Sequence, residues 1–532
     1  MNALNISFEQ SKQFSKLILD YVNNANNVKP FYNLRPEISS YQTMMEQKNY
    51  NQSYRPVLVD ELKAQYEQAG INLKKSTAVN QHVISLLNED TYTVTTGHQL
   101  CVFTGPLYFI YKILSTIKWC EELRIAYPNK NFVPVFWMAT EDHDFAEVNH
   151  VHIGNQKLSW DIDSKEQPVG RLSLDNFELF AEQVLALAQN DFSKSQIEEL
   201  ISCYTQSENL SIATRKLVHL LFANYGLVIM DADSKALKQL FIPYIKKDIL
   251  EQSNFEVLTQ TNLALKQHYK TQVNGRSINF FYLSKLGRKL ITQHKNKFEV
   301  QGTDISFTAE EISNDIEQNP ENYSPNVIMR PLYQEVILPN LSYIGGPGEI
   351  AYWLQLKDIF VNNNIAFPIL TLRSFVLMVQ HQHQNKLLKL GLSATALFET
   401  ILTIERKLVS LTHDGGQQEV LETFNKALQN LIEIAQKTDN KLSSEILAYK
   451  LEWTGKLEHL SKKLDRQQRE KVRIQSENFA NIQALYFPKG TAQERHYNIL
   501  TFGVQQSIKQ FIVNVYNNQS ISQKEVIIAL HH

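Results

Sequence analysis

The chain has 532 residues, which at about 150 residues per domain implies roughly three or four structural units. Hydrophobic residues make up 43% and charged residues 20%, a balance that excludes a disordered chain and allows an ample core. With 53 basic against 55 acidic side chains, no net charge draws the protein to nucleic acid or to an anionic membrane, so neither is expected as a partner.

The three cysteines, Cys101, Cys120 and Cys203, lack metal-ligand spacing and form no even framework, as in a reducing cytoplasm. The opening MNALNISFEQ has no basic start followed by an apolar run. No window approaches the ~18 uninterrupted apolar residues of a membrane span. A cytoplasmic location is therefore expected.

In chain order, residues 1–90 read as an N-terminal helical region packed on the core, punctuated by Pro30, Pro36 and Pro56. Leu58 to Ala69 and Ala78 to Leu87 have helical apolar spacing. The central unit is TYTVTTGHQLCVFTGPLYFIYK, Thr91 to Lys112. Its β-branched start predicts a strand, Gly97-His98-Gln99 a turn, and Thr104-Gly105-Pro106 a helix start with Thr as cap and Pro in the first turn. Such a junction favours an anion, because the helix start presents unpaired N–H groups. The same turn could equally be structural.

Phe132 to Thr140 (FVPVFWMAT) is almost wholly apolar, as a strand covered on both faces of a parallel sheet should be. It leads into Glu141-Asp142-His143-Asp144, which is either a site beyond a strand end or a solvated loop. Short strand pieces at Val151 to Ile153 and Leu158 to Ile162, then helices, suggest an insertion over 151–220. Core resumes at 221–250 with a strand at Leu227 to Met230 and a helix at Ala236 to Leu250. A second insertion, 251–325, holds β-like runs at Ile278 to Leu283 and Phe298 to Val300.

Residues 326–381 return to the core through a strand at Leu341 to Ile344, the turn Gly345-Gly346-Pro347-Gly348-Glu349, a helix at Ile350 to Phe360 and a strand at Phe367 to Leu372. Over 382–480, heptad steps (Leu397, Ile401, Ile404, Leu408, Leu411; Leu421, Phe424, Leu428, Leu431; Trp453, Leu457, Leu460, Leu464) predict paired helices, intramolecular or dimeric. Gly415-Gly416 should interrupt the arm and the polar stretch Arg466 to Asn478 should close it. Residues 481–532 read as a return to the core. The fold class is thus α/β, a Rossmann-like doubly wound parallel sheet with two insertions (residues 91–150, 221–250 and 326–381 forming the core) and a helical coiled-coil arm.

Candidate chemistry gathers at the strand ends. The carboxylates and imidazole of Glu141 to Asp144 suit acid–base work or the holding of an ammonium group, and a His beside carboxylates should have a raised pKa. His143, His150 and His152 offer metal ligands, but none has helical zinc spacing and no Cys joins them, so no metal is predicted. The glycines of GGPGE allow close backbone approach. Arg330 and Arg373 can each hold a carboxylate or phosphate with two hydrogen bonds, or form surface ion pairs.

Five blocks, TTGHQLCVFTGPLYFIYK, FWMATEDHDFAEVNHVH, YGLVIMDAD, PNVIMRPLYQEVILPNLSYIGGPGEIAYW and FPKGTAQER, occur in order between about residues 90 and 500. Together they resemble the bacillithiol-biosynthesis cysteine-adding enzymes, a family with a core like that of class I aminoacyl-tRNA synthetases. The resemblance implies a ligase that joins cysteine to the amino group of glucosaminyl-malate, with ATP as co-substrate for carboxyl activation and a homodimer formed through the coiled-coil arm. The second histidine of the synthetase phosphate motif is not evident, and the lysine-rich loop has only Ser284-Lys285 through Arg288 as a poor counterpart.

Read with that resemblance, His98, Asp142, His143 and Asp144 are the residues expected to be catalytic. His98 and Thr104 would contact phosphate or the activated carboxyl, with Gly97, Gln99 and Gly105 beside them. Asp142, His143 and Asp144 would hold or deprotonate the attacking amine, near Trp137 and Glu141. Arg330 and Arg373 would bind the malate carboxylates. Gly345, Gly346, Gly348 and Glu349, with Gln334, Tyr343 and Trp353, would line the sugar or nucleotide. An alternative of another class is a catalytically degenerate, dimeric module that binds nucleotide or sugar-malate and scaffolds another enzyme. A tRNA binder is opposed by the neutral charge.

Overall fold

The computed structural model describes residues 4–412, 416–503 and 507–531. The chain divides into two units, Ser7–Val376 with Gln493–Ile527, and Leu377–Ala492 with the residues at the chain ends.

In the first unit, strands β1 (Thr91–His98), β2 (Asn131–Met138), β3 (Val228–Asp231), β4 (Asn340–Gly345) and β5 (Ile369–Leu372) form a parallel sheet. Their order is β5-β4-β1-β2-β3. The chain starts at the centre, winds outward through β2 and β3, then returns to the other side of β1. The reversal between β1 and β4 leaves a crevice beyond their carboxyl ends, the place where open α/β sheets bind ligands. Helix α1 (Tyr108–Ala126) follows β1, α2 (Met329–Ile337) precedes β4, and α3 (Pro347–Trp353) follows it.

The threonines of β1 serve the sheet as well as its β propensity. Thr93 and Thr95 hydroxyls donate to Asn340 Oδ1 at 3.1 and 2.8 Å, and Thr96 donates to the Ile344 carbonyl at 2.8 Å. One face of the sheet is sealed by Trp119, Cys120 and Leu123 of α1 with Tyr41 and Met44, packed on Val94, Phe132, Leu341 and Ile369. Trp119 stacks on Tyr41 with centroids 5.6 Å apart.

Several predicted elements differ. The first core helix starts at Tyr108, not Pro106, because the chain first makes a left-handed passage: Phe103, Thr104 and Gly105 have φ of +48°, +71° and +61°. Thr104 therefore does not cap it, and its buried hydroxyl has no hydrogen-bond partner. Asn498 holds the passage by donating to the carbonyls of Phe103 and Gly105 at 2.7 and 2.6 Å. A Cβ at Gly105 would lie 2.6 Å from Cys101 Cβ, so geometry and space both require glycine.

The single helix expected over Ile350 to Phe360 is two, α3 and Lys357–Asn362. Between them buried Gln355 turns its amide oxygen to the N–H groups of Gln272 and Val273, at 2.7 and 3.1 Å. The helix expected over Ala236 to Leu250 breaks once, into Lys235–Gln239 and Ile242–Lys246, the second running on as a π-helical turn over Lys247–Glu251; Pro243 lies at the start of the second piece, where its missing N–H costs nothing.

Between β2 and β3 the chain forms the hairpin His150–Ile153 with Gln156–Ser159, and the helices Phe177–Leu185, Asp191–Thr205 and Leu210–Phe222. Between β3 and β4 it builds an antiparallel sheet from Phe280–Ser284, Gly287–His294, Lys297–Val300 and Ser306–Phe307, with Tyr323–Pro325 on the other edge.

The second unit is dominated by helices Ile401–Thr412, Gly416–Gln436 and Asn440–Tyr486. Lys450 meets Gln429 and Thr454 meets Asn425, so the latter two run antiparallel. Gly415 of the expected Gly-Gly interruption lies outside the described residues, whereas Gly416 opens a helix. The polar stretch Arg466 to Asn478 does not close the arm, since the 47-residue helix continues through it to Tyr486. Among the described residues no helix is long and apolar enough to cross a membrane.

Replacing Trp119 with Ala removes the largest side chain from the seal between α1 and the sheet. A loss of about 3–5 kcal/mol is expected in denaturant unfolding of the full chain.

Candidate functional site

A cavity of about 660 Å³ opens at the switch point. Its floor is the end of β1. Gly97 and His98 reach it from that strand, Trp137 to Thr140 from β2, Ala232 and Asp233 from beyond β3, and Tyr343 from β4. Arg276, Phe281 and Arg288 arrive from the second insertion, and Arg495 from the returning C-terminal segment.

His98 is held in one protonation state. Its Nδ1 accepts the Gln99 backbone N–H at 2.8 Å, so Nε2 carries the hydrogen. Burial, then repulsion by the Lys112 ammonium, pulls its pKa down to about 3. The ring stacks on Tyr108 at 5.1 Å and stays neutral. Nε2 is buried without a protein partner, as is Arg330 Nη1, whose neighbour Nη2 donates to Tyr352 at 2.9 Å. Both atoms are donors beside one cavity.

Below them lies a charged keystone. Lys112 is 2% exposed on the buried side of α1, and its ammonium donates to both Glu349 oxygens at 2.8 Å and to the Gly97 carbonyl. Glu349 also accepts from Tyr343 Oη at 2.6 Å and from the Gly346 N–H at 2.9 Å. Burial alone would raise the carboxyl pKa, but Lys112 and these hydrogen bonds hold it at about 2. The contacts tie β1, α1, β4 and α3 together. They also fill the α3 start, where the Glu349 carboxylate already takes the Gly346 N–H.

The opposite wall is acidic and braced. Gln99 Nε2 donates to Asp142 at 2.7 Å and to Glu147 at 2.6 Å. Asp142 Oδ1 also accepts the His143 N–H at 2.7 Å. Lys238, 1% exposed, bridges Glu141 at 2.6 Å and Asp233 at 3.4 Å, and Arg171 clamps Asp233 at 2.6 and 2.7 Å. Arg288 Nη1 donates to His143 Nδ1 at 3.2 Å, while its other nitrogens bind Ser324 and the Pro325 carbonyl. His143 does not have the raised pKa expected beside carboxylates: burial, then Arg288, lowers it.

Of the residues singled out from the sequence, Gly97, His98, Gln99, Trp137, Glu141 and Asp142 line this cavity, as do Arg330, Tyr343, Gly346, Gly348, Glu349 and Arg373. Arg373 is committed elsewhere in part. Glu494 takes both its terminal nitrogens in a buried ion pair, leaving Nε unpartnered. The other residues sit apart. Gln334 is buried and donates to Glu335 at 3.0 Å, and Trp353 stacks under Tyr343 at 4.4 Å. Gly345 ends β4 beneath the lining, and Asp144 is exposed at the start of a short helix. Gly105 lines a neighbouring cavity, and Thr104 is enclosed.

Sequence reasoning passed over Tyr108, Lys112, Arg276, Tyr352 and Arg495, and met Arg288 only as the end of a poor counterpart to the lysine-rich loop; all six are in the lining. Lys112 had a signal, a lone cation inside the apolar run YFIYKIL. Among the described residues no group of three or more His, Cys, Asp or Glu side chains could hold a metal ion.

The sheet order and the charged crevice at its switch point define a Rossmann-like ligand-binding protein, extended by a coiled-coil unit. Residues 1–374 match the model of the bacillithiol biosynthesis BshC N-terminal Rossmann-like domain, and residues 376–529 that of the BshC C-terminal coiled-coil domain. The chain belongs to the BshC family of bacillithiol biosynthesis.

It is 41% identical to a Flavobacterium johnsoniae protein over 93% of this chain and 94% of the relative. It is also 41% identical to one from Flavobacterium psychrophilum over 97% and 96%. A Bacillus cereus relative is 26% identical over 91% and 92%. Each of these relatives bears the name "Putative cysteine ligase BshC". A solved Campylobacter jejuni protein, described as a "putative arginyl t-RNA synthetase", aligns over 83% of this chain and 97% of its own at 12% identity and a TM-score of 0.19.

The keystone pair makes two predictions. Lys112→Met leaves a carboxylate stranded; because the Glu349 side chain keeps 27% exposure, a loss of roughly 2–3 kcal/mol is expected, below the ~3–5 for a fully enclosed pair. Lys112→Met with Glu349→Met should recover most of it in denaturant unfolding. The folded pKa of about 2 lies below the ordinary 4.5, so ionised Glu349 stabilises the fold fully above about pH 4.5 and the contribution is lost as pH falls toward 2. The stability gap between wild type and Glu349→Gln should therefore close over that interval.

Proposed function

We propose that this protein is a cysteine ligase that joins the carboxyl group of cysteine to the amino group of glucosaminyl-malate, forming bacillithiol, with ATP as co-substrate. The observation that carries the reading is the cavity itself. Donors fixed on neutral His98 and on Arg330 stand across from the braced carboxylate Asp142, all at the switch point of the sheet.

Amide formation from a free carboxylate is uphill, and ATP supplies the leaving group as an adenylate or an acyl phosphate. His98 Nε2–H donates to the oxygen that gains charge as the carboxyl is activated and attacked; a fixed neutral donor costs no reorganisation at that moment. Asp142 takes the proton that the attacking amine loses. Its orientation is set by Gln99 and the His143 N–H. His143 is less suited to that transfer, since its Nδ1 already accepts from Arg288. Arg330 and the exposed Arg276 bind the malate carboxylates, the role that Arg373 is less free to fill with Glu494 on its terminal nitrogens.

We also propose a homodimer through the arm. Ile404, Leu408 and Leu428 are buried within the helical unit, but Trp453, Leu460 and Leu464 are 42%, 53% and 51% exposed. Apolar residues left out at heptad spacing suit a second copy.

Purified protein with glucosaminyl-malate, cysteine and ATP should release bacillithiol. AMP with pyrophosphate marks an adenylate and ADP an acyl phosphate; no thiol product from the folded protein removes the ligase reading. His98→Ala should lower kcat roughly 10²–10³-fold, and His98→Asn, which keeps an N–H donor, should lose less. Light scattering should give twice the 61.5 kDa chain mass, falling to one chain in Leu460→Asp with Leu464→Asp.

A further inference from the structure

A second cavity of about 280 Å³ adjoins the main one. Gln99 and Tyr108 line both. Its remaining walls include Glu147, His150, His152, His496 and Cys101. The His152 and His496 rings lie 4.3 Å apart and the His150 ring stands perpendicular to His152 at 5.5 Å. Burial pushes the Cys101 thiol up to about 12, so it is a neutral, polarisable wall and not a nucleophile. Across the partition between the two cavities the Gln99 amide is shared: Nε2 donates at once to Asp142 of the large cavity and to Glu147 of the small one.

These walls have a chemistry the large cavity lacks, imidazole faces beside a thiol, which suit a soft sulfur atom. The Glu147 carboxylate beside them suits an ammonium group. At 280 Å³ the space fits one small amino acid and not a sugar conjugate or a nucleotide. We infer that this annex is the cysteine subsite: Glu147 takes the α-ammonium, His152 and His496 border the thiol, and the carboxyl points past Gln99 and Tyr108 toward His98. The inference rests on the ligase reading for its substrate. It adds the place and the residues that select cysteine, and it frees the large cavity for glucosaminyl-malate and nucleotide. Gln99 then contacts both substrates' partners and positions the two carboxylates across the wall.

Calorimetric titration of the full-length protein, with a non-hydrolysable ATP analogue present, separates the two substrates. Glu147 is exposed, so Glu147→Gln should fold as wild type does. L-Cysteine should bind this variant on the order of tenfold to a hundredfold more weakly, the loss of one charge-assisted contact, with glucosaminyl-malate affinity within about twofold. His496→Leu should weaken L-cysteine more than L-serine. Cysteine that binds both forms equally, fails to bind wild type, or is left unaffected while glucosaminyl-malate weakens overturns the subsite. Because binding is read without turnover, the titration decides the subsite whether or not thiol product forms, and the product assay judges the ligase reading on its own.

Discussion

The contact on which the site depends is the buried pair of Lys112 and Glu349. One ammonium reaches the carbonyl at the end of β1, and one carboxylate gathers Tyr343 of β4 and the N–H at the start of α3. Burying two charges is expensive unless each is fully satisfied. Here the carboxylate accepts from Lys112, Tyr343 and Gly346, and the ammonium has three acceptors. The pair therefore fixes the spacing of the two strands that frame the crevice. It also sets the electrostatics above it, since the Lys112 charge helps keep His98 neutral.

The rest of the site follows the same plan, in which a charge is placed and then immobilised. Lys238 and Arg171 hold the carboxylates beyond β2 and β3, Gln99 and a backbone amide hold Asp142, and Arg288 holds His143. A few atoms are left over: His98 Nε2, Arg330 Nη1 and Arg373 Nε. Buried polar atoms without partners are costly, so a cluster of them along one cavity marks where a ligand completes the hydrogen bonding. The family to which the chain belongs, bacillithiol biosynthesis, gives that ligand a chemical setting.

Much of this was legible in the residues. β1 and β2 could be read because one is β-branched and the other apolar on both faces, and local pattern alone produces those strands. His98 and Asp142 could be placed because strand ends are where such folds carry chemistry. Lys112 escaped because a helical lysine usually faces water, and the partner that buries it is more than two hundred residues away, at Glu349. Arg373 escaped as an internal ion pair because Glu494 arrives from the far end of the chain. Arg276 and Arg288 belong to an insertion whose docking no local pattern encodes. Gln334 and Trp353 mislead for the opposite reason: they lie in a block rich in chemistry yet pack beneath it.

The measurement that bears most directly on this account is nucleotide stoichiometry in wild type and in the variant carrying Lys112→Met and Glu349→Met. Wild type should cleave one ATP for each bacillithiol formed, and the doubly substituted protein, still unfolding cooperatively, should lose both activities together. Full turnover in that variant, or bacillithiol formed without nucleotide cleavage, would contradict the claim that the buried pair organises an ATP-coupled ligase site.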